Sequence, residues 1–283
     1  MRNLLLVVNP SRPAAVAAAK ELAASFSKVG FSLYTISDIA LVNVTNCTLE
    51  NLPALEVGVV LGGDGTMLRA AEATRLHQIP LLGVNLGHVG FLAEVEKTTL
   101  ERVVSTIADK SYVIDPRMTL KYSVVRKGVE VAHGWALNEV TVEREDAAMI
   151  ELFLEIDRRP ISRWGCDGLI CSTPTGSTAY AFSAGGPVVW PEVDALVVLP
   201  ISAHALFSRA LVISTHSQIL VRVESARGLL SADSLRNFEL IEADQVHISK
   251  DNGVVTLAHL HQTLFSDRLV AKFKLPIQGW RGE

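Results

Sequence analysis

The sequence predicts an α/β protein, with an N-terminal open parallel α/β domain followed by a mainly antiparallel β domain. Three observations carry that expectation. Over the first third of the chain, short aliphatic runs alternate with helix-compatible stretches, the pattern of strands buried on both faces of a parallel sheet. From about Tyr112 the chain shifts to apolar–polar alternation punctuated by Gly, Pro and Asp, which suits half-buried antiparallel strands. Residues 267–274 return to a helix-compatible composition.

Taken in order, residues 4–8 form a continuous aliphatic run that Asn9-Pro10-Ser11 terminates, and the Ala-rich stretch 14–27 follows as a helix. A second strand-and-helix cycle is expected to begin with residues 31–36. A third begins with residues 57–61, which lead through Gly62-Gly63-Asp64-Gly65-Thr66 into a helical stretch over 67–77. Residues 81–85 make a fourth strand. Beyond the change of pattern, Met118, Leu120, Tyr122 and Val124 alternate with polar residues, and Lys127-Gly128 reads as a turn. Ile150, Leu152, Leu154 and Ile156 alternate again, and turns are expected at Pro174, Gly185-Gly186-Pro187 and Asn252-Gly253. The chain's 283 residues exceed the roughly 100–200 of one compact domain. The expected division is 1–112, joined by a tail at 265–283, and 113–264. That tail is expected to pack on the first domain or on another subunit.

Composition removes several function classes. Lys and Arg total 26 against 30 Asp and Glu, a net charge of −4, so a phosphate-neutralising nucleic-acid binder is disfavoured. Three cysteines with no CxxC pair suggest neither a disulfide framework nor a zinc ribbon. The five-residue apolar run at the N-terminus is too short for a signal-peptide core or a membrane span. A cytoplasmic protein with no membrane partner and no nucleic-acid partner is the expectation. His259 and His261 lack carboxylates or cysteines at ligand spacing, so no protein-held metal is expected.

The sharpest local signal is Gly62-Gly63-Asp64-Gly65-Thr66, between a buried strand and a helix. Glycines let a backbone approach an anion closely, and a helix start offers unpaired N–H groups with partial positive charge. The segment matches neither a Walker A loop nor GxGxxG. A carboxylate in such a cradle repels a phosphate, so Asp64 makes sense there as a metal partner or as a base for an attacking hydroxyl. A plain tight turn is the competing reading. Arg69, about one helical turn further on, is either a counter-charge for donor phosphates or a solvated helix charge. The second signal is residues 167–187, where six Ser or Thr hydroxyls and four glycines accompany Tyr180. Such a segment suits hydrogen bonds to sugar hydroxyls and stacking on a base, or else it is a Ser/Thr-rich connection between strands.

Taken together, Gly62 to Thr66, the Asn138-Glu139 pair and the Ser172 to Pro187 segment, in this order and spacing, resemble the NAD kinases. So do Asn85-Leu86-Gly87-His88-Val89-Gly90-Phe91-Leu92, residues 200–209 and residues 275–282, the last two being most like actinobacterial members. The first motif alone is shared with phosphofructokinases and diacylglycerol-type lipid kinases. The resemblance covers nearly the whole chain. It implies that Asp64 acts on the 2′-hydroxyl of the adenosine ribose of NAD, while Gly62, Gly63, Gly65 and Thr66 hold ATP or polyphosphate carrying Mg²⁺. It further implies that Asn138 and Glu139 bind the adenine side of NAD, that Phe91 lines the adenine pocket, and that Asp167 faces the nicotinamide. Thr178, Ala179, Tyr180 and Ser183 would complete the NAD site, in a homodimer or homotetramer.

Two departures stand out. Asp233-Ser234-Leu235 occupies the place of a usual Asp-Gly-Gln turn, which puts that turn in doubt, and Ala210 follows Arg209 where proline is common. The rivals are a lipid kinase sharing the glycine cradle and a sensor that binds NAD without turnover. The hydroxyl-rich segment argues against the first and Asp64 against the second.

Overall fold

The computed structural model describes residues 2–84, 86, 90–92, 100–262 and 264–276. The chain divides into two compact units, residues 1–116 with 255–283, and residues 117–254. Among the described residues no helix is long and apolar enough to cross a membrane.

Unit 1 begins with β1 (Arg2–Val8), α1 (Pro13–Lys28), β2 (Phe31–Thr35), β3 (Val44–Asn46), β4 (Val57–Leu61), α2 (Asp64–Thr74), β5 (Leu81–Val84) and α3 (Leu100–Ala108). The five strands pair in parallel in the order β5-β4-β1-β2-β3. Proline at its first position opens α1, and Ala15, Ala18, Ala19, Leu22, Ala23 and Phe26 recur at helical spacing as its buried stripe. That stripe joins Val103 and Ile107 of α3 in one core with Leu4, Leu6, Val57 and Val59. Leu5, Val7 and Val60, on the alternate positions, are equally buried and so need cover on the opposite face.

Connectivity accounts for that second layer. The chain steps from β1 to β2 in one direction and from β4 to β5 in the other, and right-handed crossovers then place α1 and α2 on opposite faces. The reversal falls between β1 and β4, whose carboxyl ends are Val8 and Leu61. This is where a doubly wound sheet opens a ligand crevice.

Two expectations fail here. The second cycle has no α-helix, because residues 37–56 hold only β3 and a short 3₁₀ turn; the β-branched Val42, Val44, Thr45 and Thr48, the left-handed φ of Asn43 and Pro53 work against a continuous helix there. The helix expected from Met67 begins three residues earlier, at Asp64, with Gly63 as its N-cap.

Unit 2 holds β6 (Val113–Arg126), β7 (Val129–Ala136), β8 (Glu139–Glu143), β9 (Ile150–Ile156), β10 (Arg159–Cys166), β11 (Gly168–Ser172), α4 (Tyr180–Ser183), β12 (Ala195–Ile201), β13 (Leu211–Ser214), β14 (Ile219–Val223), β15 (Arg227–Ala232), β16 (Arg236–Ile241) and β17 (Gln245–His259). The last helix, α5 (Phe265–Phe273), belongs to unit 1. The unit boundaries fall within β6 and β17. The 255–259 end of β17 pairs in parallel with β5 through Leu257 and Ala258.

In unit 2, β13-β12-β11-β8-β15-β16 form one antiparallel sheet, and β10-β9-β14-β17 another, with the β6–β7 hairpin joined to β17. Their inward residues share a core that includes Leu120, Val142, Leu154, Trp164 and Val198. β11 is buried along its whole length, since the other side chain in its alternation, Ile170, packs with Ala181, Val189 and Leu199. Pro200 is tolerated inside β12 because β13 stops pairing at Val198. The Asn252-Gly253 turn is not formed. Both residues lie within β17, and Thr119 donates its hydroxyl hydrogen to the Gly253 carbonyl at 2.7 Å.

Candidate active site

In unit 1 the loop after β4 turns directly into α2, and no side chain caps the helix. Its first-turn N–H groups therefore face the crevice mouth without a side-chain acceptor. Gly62 has to be glycine, because a Cβ there would fall 2.6 Å from the Thr66 Cβ. Gly62 and Thr66 are buried, Gly63 and Asp64 half-buried, Gly65 and Arg69 exposed. The Asp64 carboxylate accepts hydrogen bonds from the backbone N–H groups of Phe91 at 3.2 Å and Leu92 at 3.1 Å. Phe91 is 7% exposed, with its ring against Phe265 and Phe273; what it offers Asp64 is its peptide. Asn85, Gly87, His88 and Val89 of the neighbouring motif lie outside the described residues, as do residues 277–282.

Two residues of this unit to which the sequence motifs assign no role lie against the turn and Asp64. Arg12, in the turn after β1, brings Nη2 to 3.9 Å from where a Cβ on Gly63 would lie. The β1/β4 reversal of strand order is what brings the two turns together, so the signal was topological. Gly90 is the other. A Cβ there would meet Asp64 Oδ1 at 2.5 Å.

In unit 2 the two separate motifs are stitched together. The segment after β11 lies over the start of β8: Thr173 N donates to the Asn138 carbonyl at 2.8 Å, and Thr173 Oγ1 to the Leu137 carbonyl at 2.6 Å. Gly176 approaches so closely that a Cβ would stand 2.5 Å from the Asn138 carbonyl carbon. Asp233 then fixes the same strand start from the other side. Its carboxylate accepts from the N–H groups of Leu137 at 2.8 Å, Asn138 at 2.7 Å and Glu139 at 3.4 Å. It does this from a turn in which Asp233 and Ser234 both take left-handed φ, 53° and 55°, closed by Leu235 N to the Ala232 carbonyl at 3.0 Å. The turn is thus formed without the usual glycine. Ala210 lies half-buried beside the outer apolar cluster.

The hydroxyl-rich segment divides between its two readings. Ser172, Thr173 and Ser177 are buried and bond to the segment's own or neighbouring carbonyls, because a loop folded over a sheet must satisfy its polar groups internally. Of the residues expected to complete the NAD site, Tyr180 and Ser183 are exposed and Thr178 and Ala179 half-buried, with Phe182 exposed beside them. Around them stand carboxylates. Glu143 accepts from Tyr180 Oη at 3.0 Å and from Thr141 Oγ1 at 2.6 Å, and Asp167 pairs with Arg144 Nε at 2.7 Å. Burial and the charge of Glu143 push the Tyr180 phenol up to about 12. Glu139 is 6% exposed. Burial, then the nearby Asp233 charge, lifts its carboxyl to about 8, although it accepts the Tyr180 backbone N–H, and its Oε2 has no partner.

Among the described residues no three His, Cys, Asp or Glu side chains are arranged to hold a metal. A magnesium ion carried on the phosphates of a donor asks only one or two carboxylates of a protein, and the carboxylate at the start of α2 is that of Asp64. His259 is used otherwise, its Nε2 lying 2.9 Å from Asp115 Oδ2. Cys166 and Cys171 are buried, which raises both thiols, Cys166 to about 11.

Comparison with known proteins gives a consistent result. The family model of the ATP-NAD kinase N-terminal domain matches residues 4–112, and that of the ATP-NAD kinase C-terminal domain matches residues 137–260. The NAD kinase of Thermobifida fusca (strain YX) is 46% identical, covering 99% of this chain and 92% of that protein. The NAD kinase of Leifsonia xyli subsp. xyli is 52% identical over 81% of this chain and 76% of its own length. A crystal structure of yeast NADH kinase complexed with NADH shares the fold with a TM-score of 0.88, at 21% identity and covering 99% and 89% of the two chains. An NAD kinase from Archaeoglobus fulgidus in complex with ATP gives 0.73 at 24% identity, with 97% and 99% covered.

Proposed function

The chain belongs to the NAD kinase family, and from that premise we propose that it transfers the terminal phosphoryl group of ATP or polyphosphate to the 2′-hydroxyl of the adenosine ribose of NAD, forming NADP. The observation that carries this reading is the position of Asp64, a carboxylate at the uncapped start of α2, at the reversal of strand order. Phosphoryl transfer is catalysed chiefly by positioning and by neutralising charge. Gly62, Gly63, Gly65 and Thr66 would present backbone N–H groups to the donor phosphates, and Arg12 and Arg69 positive charge. Mg²⁺ on those phosphates would offset the charge of the transferred group. Asp64 would hold the acceptor hydroxyl and take its proton late, since a carboxylate is a weak base.

NAD is assigned to unit 2, with Asn138 and Glu139 toward the adenine side, Asp167 toward the nicotinamide and Thr178, Ala179, Tyr180 and Ser183 along the dinucleotide. Phe91 would border the adenine. Relatives named for binding NADH and ATP support both substrates. A cytoplasmic homodimer or homotetramer completes the proposal. Purified protein given Mg-ATP and NAD should form NADP. Sustained absence of product while NAD still binds would favour a sensor instead.

A further inference from the structure

The C-terminal helix reaches Asp64 through one peptide group. Arg268 of α5 is 9% exposed, and its Nη1 donates to the Phe91 carbonyl at 3.0 Å. The N–H on the other side of that same peptide unit is that of Leu92, which donates to Asp64 Oδ1 at 3.1 Å. A peptide is planar, so fixing the direction of its oxygen fixes the direction of its N–H. A hydrogen bond to the oxygen also polarises the N–H toward its acceptor.

Arg268 is itself held. Its Nη2 lies 2.9 Å from His259 Nδ1, and a guanidinium has donors only, so Nδ1 is the acceptor. The ring hydrogen then sits on Nε2 and is donated to Asp115 Oδ2 at 2.9 Å. Phe91 is clamped as well, its ring 5.9 Å and 5.7 Å from Phe265 and Phe273, on either side of Arg268 in α5. A buried guanidinium is costly unless its donors are satisfied. Here two of them go to one ring nitrogen and one carbonyl, both fixed in unit 1.

We infer that Arg268, oriented by His259 and Asp115, is a positioning residue for Asp64. It anchors the oxygen of the 91–92 peptide and so aims the N–H group that holds the Asp64 carboxylate in place. The inference rests on the reading of Asp64 as the residue that meets the acceptor hydroxyl. A helix late in the chain thereby sets the geometry at a turn about 200 residues earlier.

The test measures kcat and KM for both substrates in Arg268→Lys, whose single ammonium cannot serve the carbonyl and the imidazole together, and in His259→Gln. Expected are a roughly 10- to 100-fold loss of kcat in the first and a smaller loss in the second, with each KM within about threefold. In an Asp64→Asn background, Arg268→Lys should cost less than about twofold more. Unchanged kcat in folded Arg268→Lys, or an undiminished loss in the Asp64→Asn background, overturns the inference. If Arg268→Lys does not fold, His259→Gln decides by the same kcat criterion. An Asp64→Asn enzyme of full activity would instead refute the role given to Asp64.

Discussion

Gly90 touches Asp64 with no room to spare: a Cβ on Gly90 would stand 2.5 Å from Oδ1 and 3.2 Å from the carboxyl carbon. A methyl group there must displace the carboxylate or the backbone that bonds it. Gly90→Ala is expected to lower kcat by at least about tenfold, in line with the sensitivity of catalysis to small misplacements. Steady-state kinetics on the folded variant checks this, and an unimpaired kcat would show that the carboxylate's position is not critical.

Arg12 lies across the strand-order reversal from Gly63. If it carries part of the donor charge, Arg12→Ala should raise KM for ATP by roughly tenfold, about 1.4 kcal/mol, while leaving KM for NAD nearly unchanged. An effect confined to NAD would assign Arg12 elsewhere.

Ser234 sits at φ 55°, a conformation costing a non-glycine residue on the order of 1 kcal/mol. Ser234→Gly should therefore raise stability by about 0.5–1 kcal/mol, partly offset by the greater freedom of glycine in the unfolded chain. Denaturant titration at fixed pH reads this directly. A destabilised glycine variant would mean that the Ser234 side chain contributes more than its backbone costs.

Glu139 gives a pH dependence with a definite sign. Its carboxyl is lifted from 4.5 to about 8 by burial and by Asp233. Between those values the folded protein binds the proton that the unfolded chain has released, so stability falls as pH rises through that window. Asp233, lifted to about 6 by burial against the pull of three N–H donors, acts in the same direction at lower pH. Glu139→Gln keeps the shape without the titration. It should remove about 1 kcal/mol per pH unit of slope from unfolding free energies measured from pH 5 to 8. An unaltered slope would mean that Glu139 is ionised in the folded state.

Much of this was legible from local pattern. Val57–Leu61 is an aliphatic run broken only by Gly58 and followed by glycines, short and valine-rich enough to read as a buried strand. Asp64 and the Asn138-Glu139 pair stood out as motifs because their chemistry sits in contiguous residues. What was misread depended on partners distant in sequence. Asn252-Gly253 has turn chemistry, yet Thr119 holds it in a strand. The hydroxyls after β11 looked available until the fold of the segment claimed Ser172, Thr173 and Ser177. Arg12 and Arg268 carry no local signature, and Gly90 belongs to the motif of residues 85–92 without any sign there that it would meet Asp64; topology brings all three to Asp64 or its loop.

The most direct test of the account is Asp64→Asn, which keeps the side-chain size and removes the charge. With Mg-ATP and NAD, NADP formation is expected to fall by about 10²–10⁴, the usual reach of a general base, with NAD affinity by calorimetry within about tenfold of the parent. NADP formation at the parental rate in Asp64→Asn would contradict it.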